Sequence, residues 1–391
     1  MNNKHIRYGV IGTGMMGVEH IQNILALENT SVGAIADTDE HSRAAGVHAA
    51  GADCAEYVDY LDLLADDSID AVVVVTPNYT HIDVMRAVIA SGKHVLCEKP
   101  LCTTTADCQT LIELAEGYEG IIWVGLEYRY MPAVNALIDE VHNGVAGDVK
   151  MVAIREHRHP FLEKIGAWNR FSRNTGGTLI EKTCHYFDLM NLLIGTRPVQ
   201  VFASGAQDLN HLDEIYDGER SDILDNAFVI IDYECGARAM LDLCMFAEAS
   251  TDQEELVVTG TKGKVDARMP SSVLHIGVHH MDGQEARANM NNVETRHITN
   301  DEIRHVGMHH GSSYLEHVDF GDAVRANASI RSAESPAAAD QARLEVQPTL
   351  DKIVTLDDGL WSIAIGEAAH RSIAENRPVT LAEILATTNP E

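Results

Sequence analysis

Apolar residues fall in short blocks along the first third of the chain. Residues 6–11, 32–36, 71–75, 94–97 and 121–125 are mostly apolar runs, as expected of strands buried on both faces. Stretches of helical period separate them: from the end of the first run through Leu27, then 41–50, 59–65, 81–91 and 104–116. This alternation predicts an α/β fold with a doubly wound parallel sheet, whose ligands bind at the carboxyl ends of the strands. From residue 150 the pattern changes. Runs at 149–156, 199–204, 227–233, 237–244 and 256–261 follow one another, interrupted by one helical stretch from about 178 to 194. Strand after strand predicts a mostly antiparallel, open sheet in an α+β domain, and residues 263–266 would close a hairpin with the last run. The expected division is 1–128 for the parallel domain and 129–391 for the second. Residues 281–300 read as an irregular loop or edge hairpin. Residues 331–342 read as an exposed helix or an excursion, and 314–326 and 360–375 as amphipathic helices.

The first run breaks into Gly12-Thr13-Gly14-Met15-Met16-Gly17 and a helix follows. A G-x-G-x-x-G pattern between strand and helix is a dinucleotide fingerprint. Its first glycine permits a tight turn, its second lets the backbone approach a pyrophosphate, and its third lets helix and strand pack closely. The helix N-terminus offers free N–H groups to the phosphates. Asp37 ends the second strand twenty residues beyond Gly17, where a carboxylate binds ribose hydroxyls and repels a 2′-phosphate. That favours NAD over NADP. Asp37 also suits a helix N-cap, but Asp39 can fill that role.

Length and composition narrow the function classes. At 391 residues two domains are expected. No apolar run reaches the roughly 18 residues of a membrane span. Met1 to His5 lead straight into a strand without room for a signal peptide, so a cytoplasmic protein without a membrane partner is expected. Seven scattered cysteines suit reduced thiols. A formal charge of −30 argues against nucleic acid; it fits a salt-adapted surface or a merely acidic one.

Three polar clusters follow strand ends: Thr76-Pro77-Asn78, Glu98-Lys99-Pro100 and Glu127-Tyr128-Arg129. Lys99, held between an apolar strand and a proline, is the candidate for handling a substrate proton. Glu181 and His185 are spaced i, i+4, so one continuous helix would place them on one face. A histidine beside a carboxylate suits proton transfer near neutral pH, although the same spacing also describes an ordinary surface pair. Tyr128-Arg129-Tyr130 and Trp168-Asn169-Arg170 supply the rings and hydrogen-bonding groups of a carbohydrate pocket. His279-His280 and His309-His310 lack a frame of spaced ligands, and no metal site is expected.

Together, Gly12-x-Gly14-x-x-Gly17, Thr76-Pro77-Asn78-x-x-His81 and Glu98-Lys99-Pro100 resemble the Gfo/Idh/MocA oxidoreductase family. The resemblance implies that Lys99 touches the substrate hydroxyl and the nicotinamide ribose, and that a cis peptide precedes Pro100. It implies cofactor contacts from Gly12, Thr13, Gly14, Met15, Met16, Asp37, Thr76, Pro77, Asn78, His81, Glu98 and Lys99. In the family's inositol dehydrogenases an aspartate and a histidine bind substrate and share the proton work. His185 matches that histidine, while Glu181 stands at the aspartate position with Lys182 after it. The implied substrate contacts are Lys99, Arg129, Tyr130, Trp168, Asn169, Arg170, Glu181, Lys182 and His185, and the implied catalytic groups are Lys99, His185 and Glu181. The implied activity is NAD-dependent hydride transfer from a secondary alcohol of a sugar, sugar derivative or cyclic polyol. Alternatives are a glycosidase that oxidises its sugar transiently and a non-catalytic dinucleotide-binding sugar sensor. The resemblance also implies a homodimer or homotetramer paired through the open sheet, and a last helix (360–375) packed back toward the first domain.

Overall fold

The computed structural model describes residues 4–279 and 292–386. The chain forms two compact units, one of Met1–Cys102, Asp107–Glu127 and Glu302–Leu360, the other of Thr103–Ala106, Tyr128–Asp301 and Trp361–Glu391.

In the first unit, six parallel strands run in the order β3-β2-β1-β4-β5-β6. They are β1 (Ile6–Ile11), β2 (Thr30–Ala36), β3 (Ala55–Tyr57), β4 (Ala71–Val74), β5 (His94–Glu98) and β6 (Ile122–Gly125). Their helices are α1 (Met15–Ala26), α2 (Glu40–Ala50), α3 (Tyr60–Leu64), α4 (His81–Ser91) and α5 (Thr105–Leu114). Every residue of β4 is buried, as the unbroken apolar run implies. The order reverses between β1 and β4, the switch point where such sheets bind ligands. The short β3 has only three residues, none of them fully buried, and so leaves no apolar block in the sequence.

The distal segment Glu302–Leu360 groups with this unit, although sequence periodicity assigns it to the second. Its helix Ser312–Arg331 buries Phe320 against Tyr8 and Trp123. Val354 accepts a hydrogen bond from the Val124 N–H at 2.9 Å, covering the sheet edge at β6. The stretch around 331–342 resolves into an exposed helix, Pro336–Leu350, begun by a Ser335 cap on the Ala338 N–H.

The second unit is built on a nine-stranded mixed sheet in the order β16-β15-β14-β13-β7-β12-β11-β8-β17. Its strands are β7 (Val149–His157), β8 (Pro198–Ala206), β11 (Asn226–Tyr233), β12 (Arg238–Cys244), β13 (Glu254–Gly260), β14 (Gly263–Met269), β15 (Val273–Val278), β16 (Val293–His297) and β17 (Val379–Thr380), and a separate small hairpin joins β9 (Ile215–Tyr216) to β10 (Glu219–Arg220). Only the β7–β12 pair is parallel among the sheet's pairs. The hairpin anticipated at 263–266 joins β13 and β14. One sheet face packs on α6 (Pro132–His142), α8 (Thr178–Glu181) and α9 (Cys184–Ile194), and the short α7 (Ser172–Thr175) precedes α8. Ala364, Ile365, Ala368 and Ala369, from the helix anticipated at 360–375, join this core.

The other sheet face carries an apolar row. Phe202 pairs with Ile230, Ile230 with Met240, Met240 with Ala153, and Ala153 with Val257, so the row crosses five strands. Ile230 is 48 % exposed and Phe228 beside it 60 %. Period-2 alternation would put polar side chains on a face meant for water.

Candidate active site

In the first unit the geometry of a dinucleotide loop appears one glycine at a time. Gly12 has φ +92°, and a Cβ there would lie 2.6 Å from the Val75 carbonyl oxygen. A Cβ on Gly17 would meet the Gly12 carbonyl oxygen at 2.1 Å, so helix and turn touch through bare backbone. Around Gly14 nothing lies within 4 Å of where a Cβ would be. Gly14 is also the N-cap of α1 and supplies no side-chain cap. Open space before an uncapped helix start suits an anionic diphosphate.

The Asp37 carboxylate accepts the Thr13 N–H at 2.7 Å and the Asp39 N–H at 2.9 Å. Oδ2 also receives the Thr13 hydroxyl at 3.3 Å, and Oδ1 retains a lone pair for a ribose hydroxyl. The cap of α2 is Asp39, which accepts the Ser42 N–H at 2.8 Å, so Asp37 is not spent on capping. The donors present thus fit a dinucleotide.

At the ends of β4 and β5, His81 joins two of the motifs. Its Nδ1 lies 2.8 Å from the Pro100 carbonyl oxygen and its Nε2 2.9 Å from that of Thr76. The Lys99–Pro100 peptide is cis. Lys99 is half-buried, and Glu98 is buried. Burial pushes the Glu98 carboxyl up, but the hydrogen bond from His20, with Lys99 and His309 nearby, outweighs it and holds the group below the usual carboxylate range. All seven cysteines are free thiols, and burial pushes Cys97 and Cys102 well up. Hence neither thiol beside Lys99 is a ready nucleophile.

In the second unit the Gly176-Gly177 turn delivers the other candidates. Both glycines have positive φ, and a Cβ on Gly177 would strike His370 Nε2 at 2.4 Å. Burial brings His370 down to about 4, leaving a neutral ring whose Nε2 accepts the Leu179 N–H at 3.1 Å. The single helix anticipated over 178–194 is interrupted: α8 ends at Glu181, α9 begins at Cys184, and Lys182 and Thr183 form the joint. Glu181 and His185 therefore stand on different helices, and the i, i+4 face does not apply. Both are buried.

Tyr128, outside the anticipated contact set, stacks on His185 with ring centroids 4.0 Å apart and planes within 6°. Its hydroxyl is 2.5 Å from Lys182 Nζ. Lys182 in turn lies 2.9 Å from Glu156, which Arg158 also approaches at 3.3 Å. Glu156 and Glu254 face each other across β7 and β13, both buried. Burial and the opposed Glu156 charge bring Glu254 up to about 7. This cluster had one sequence signal. In β7 and β13 the inward alternation Val152, Ile154 and Leu256, Val258 continues onto Glu156 and Glu254, so two carboxyls were due in the core.

Other anticipated contacts are engaged locally. Arg129 grips the buried Asp188 through two hydrogen bonds. Arg170 reaches Glu214 at 2.8 Å and the Phe161 carbonyl at 3.3 Å, and Asn169 donates to the Leu162 carbonyl at 2.9 Å. Arg170 and Asn169 thus hold their loop in shape. Trp168 and Tyr130 are half-buried. Among the described residues no group of three His, Cys, Asp or Glu side chains is placed to hold a metal; His280 and residues 281–291 of the anticipated loop lie outside the described residues. No described helix is long and apolar enough to cross a membrane.

Residues 6–126 match the model of an oxidoreductase family's NAD-binding Rossmann fold, and residues 138–381 match the same family's C-terminal alpha/beta domain. A myo-inositol 2-dehydrogenase of Thermotoga maritima is 28 % identical over 382 residues, covering 97 % of this chain and 100 % of that protein. An inositol 2-dehydrogenase of Rhizobium meliloti is 26 % identical, covering 96 % and 99 %. Among solved structures, a probable dehydrogenase from Thermotoga maritima superposes with a TM-score of 0.71 at 25 % identity, covering 97 % of this chain and 100 % of that one. A levoglucosan dehydrogenase in complex with NADH shares the fold with a TM-score of 0.77 at 18 % identity, covering 97 % and 99 %. With both domain models matched in order and the NAD-binding Rossmann unit built as described, the chain belongs to the Gfo/Idh/MocA family of oxidoreductases.

Proposed function

We propose that this oxidoreductase is an NAD-dependent dehydrogenase that oxidises a secondary alcohol of a sugar, sugar derivative or cyclic polyol. The observation that carries the reading is the half-buried Lys99, at the carboxyl end of β5 in the same sheet as the Gly12–Gly17 turn and Asp37. The inositol dehydrogenases similar to nearly the whole chain support the substrate class. NAD, held by Gly12 to Gly17 and Asp37, supplies the hydride acceptor. Lys99 holds the reacting hydroxyl. His185 takes its proton, directly or through Lys99, and Glu181 hydrogen-bonds a further hydroxyl of the substrate. The stacked Tyr128 fixes the plane of the His185 ring, and Lys182 anchors Tyr128 from behind. Trp168 and Tyr130 offer ring faces to the sugar. Preference for NAD over NADP rests on Asp37.

A second copy of the chain covers the apolar row of Phe202, Ile230, Met240, Ala153 and Val257, giving a homodimer or a homotetramer.

A panel of inositols and monosaccharides with NAD, followed at the absorbance of NADH, tests the activity. Lys99→Ala should lower turnover on the best substrate at least about a hundredfold while NAD still binds. Turnover close to wild type would remove Lys99 from the chemistry.

A further inference from the structure

Behind Glu98 runs a buried chain of two histidines that the proposed chemistry does not use. His20, on α1, places Nε2 2.8 Å from Glu98 Oε1 and Nδ1 2.8 Å from Nε2 of His317, on the helix Ser312–Arg331. Both rings are fully buried. His317 Nδ1 is buried with no hydrogen-bond partner among the described residues. The other groups facing the chain are Lys99 and His309 beside Glu98, and Tyr8, whose ring meets His317 edge-on at 6.2 Å. Burial pushes the Tyr8 phenol far up, so it stays neutral.

Counting protons along the chain fixes its state. Glu98 is ionised, so His20 Nε2 must carry a hydrogen to donate to it. One proton then lies between His20 Nδ1 and His317 Nε2. Burial holds His317 well below its ordinary range, so that ring is neutral and carries a single N–H. Were the shared proton on His20, the N–H of His317 would have to be at Nδ1, where it is buried without an acceptor. With the proton on His317 Nε2, Nδ1 is a bare lone pair. An orphaned buried N–H is the rarer and costlier of the two.

We propose that His317 is a positioning residue: by donating to His20 it keeps that ring neutral and leaves the Glu98 carboxylate as an uncompensated charge beside Lys99. The proposal rests on the reading of Lys99 as the group that manages the substrate proton. A neighbouring carboxylate favours the ammonium form of a lysine, so the chain sets the pH above which Lys99 can receive a proton. His317→Gln offers an amide that accepts as readily as it donates, which lets His20 take a second proton and cancel the charge. His317→Leu offers neither, and His20 stays neutral.

Two measurements test this. Nitrogen-15 NMR of the imidazoles in the unmutated protein at pH 7 should show His20 and His317 both neutral, with the hydrogen on Nε2. A doubly protonated His20, or a hydrogen on His317 Nδ1, would overturn the proposal whatever Lys99 does. In the pH profile of kcat/KM for alcohol oxidation, the basic form should appear at least about half a pH unit lower in His317→Gln and at its original pH in His317→Leu. Both variants shifting alike, or neither shifting, would reduce His317 to packing. If Lys99→Ala leaves turnover intact, the Lys99 reading fails while the NMR result still decides the proton arrangement.

Discussion

Alanine at Gly14 and at Gly17 separates ligand space from packing space within one turn. At Gly14 the new methyl meets nothing within 4 Å, and φ −65°, ψ −164° is open to any residue. The lost freedom of the unfolded chain stabilises by about 0.4–1 kcal/mol, and alanine's poorer capping offsets a similar amount. The variant without cofactor should therefore stay within about 0.5 kcal/mol of wild type. At Gly17 the methyl lies 2.1 Å from a backbone oxygen that no rotamer can move. Relief requires helix α1 to shift off the turn, at about 1–3 kcal/mol or more. Thermal melts with and without NAD read both effects. NAD at a hundredfold over its Kd adds about 2.7 kcal/mol to the unmutated protein, a rise of about 3 °C for a chain of 391 residues. Gly14→Ala should melt like wild type alone and lose most of that rise. Gly17→Ala should melt several degrees lower before any NAD is added. A Gly14→Ala protein with the full NAD-induced rise would refute the assignment of the open Gly14 face to the pyrophosphate.

The other predictions concern charge and assembly. Glu254 stands at about 7 against an ordinary 4.5, and a carboxyl raised on folding stabilises below 4.5 and loses that contribution as pH climbs through 7. The loss is about 3 kcal/mol, so Glu254→Gln should match wild type near pH 5 and exceed it by about that much above pH 8. Parallel stability curves from denaturant melts would count against the buried carboxyl pair. Asp37→Ser should move the ratio of kcat/KM for NAD over NADP at least about tenfold toward NADP, the worth of about 1.4 kcal/mol; an unmoved ratio places the discrimination elsewhere. Ile230→Lys puts a charge in the middle of the exposed apolar row, and light scattering should then give a smaller particle than wild type. An unchanged mass would free that face from assembly.

Local patterns in the sequence carried most of the first unit. Five of its six strands are mostly apolar runs, and both the glycine turn and Glu98-Lys99-Pro100 are contiguous stretches whose chemistry depends on order alone. The features that escaped depend on partners distant in sequence. Helical periodicity persists across Lys182 and Thr183, and neither is a proline or glycine, so nothing local marks the joint that sets Glu181 and His185 on separate helices. Tyr128 stood in a recognised cluster, yet its stacking on His185 follows from a fold contact 57 residues away, the difference of the two numbers. Amphipathic spacing showed that the helix Ser312–Arg331 has a buried face but not which sheet that face meets.

That return of the chain bears on how the protein is made. A nascent polypeptide released through residue 128 holds every strand of the parallel sheet, yet His20, Tyr8 and Trp123 still await the helix that buries them. The nucleotide-binding half can finish folding only after the ribosome has also delivered the helix Ser312–Arg331. A truncation at the apparent boundary should consequently yield an aggregating fragment instead of a miniature NAD-binding module.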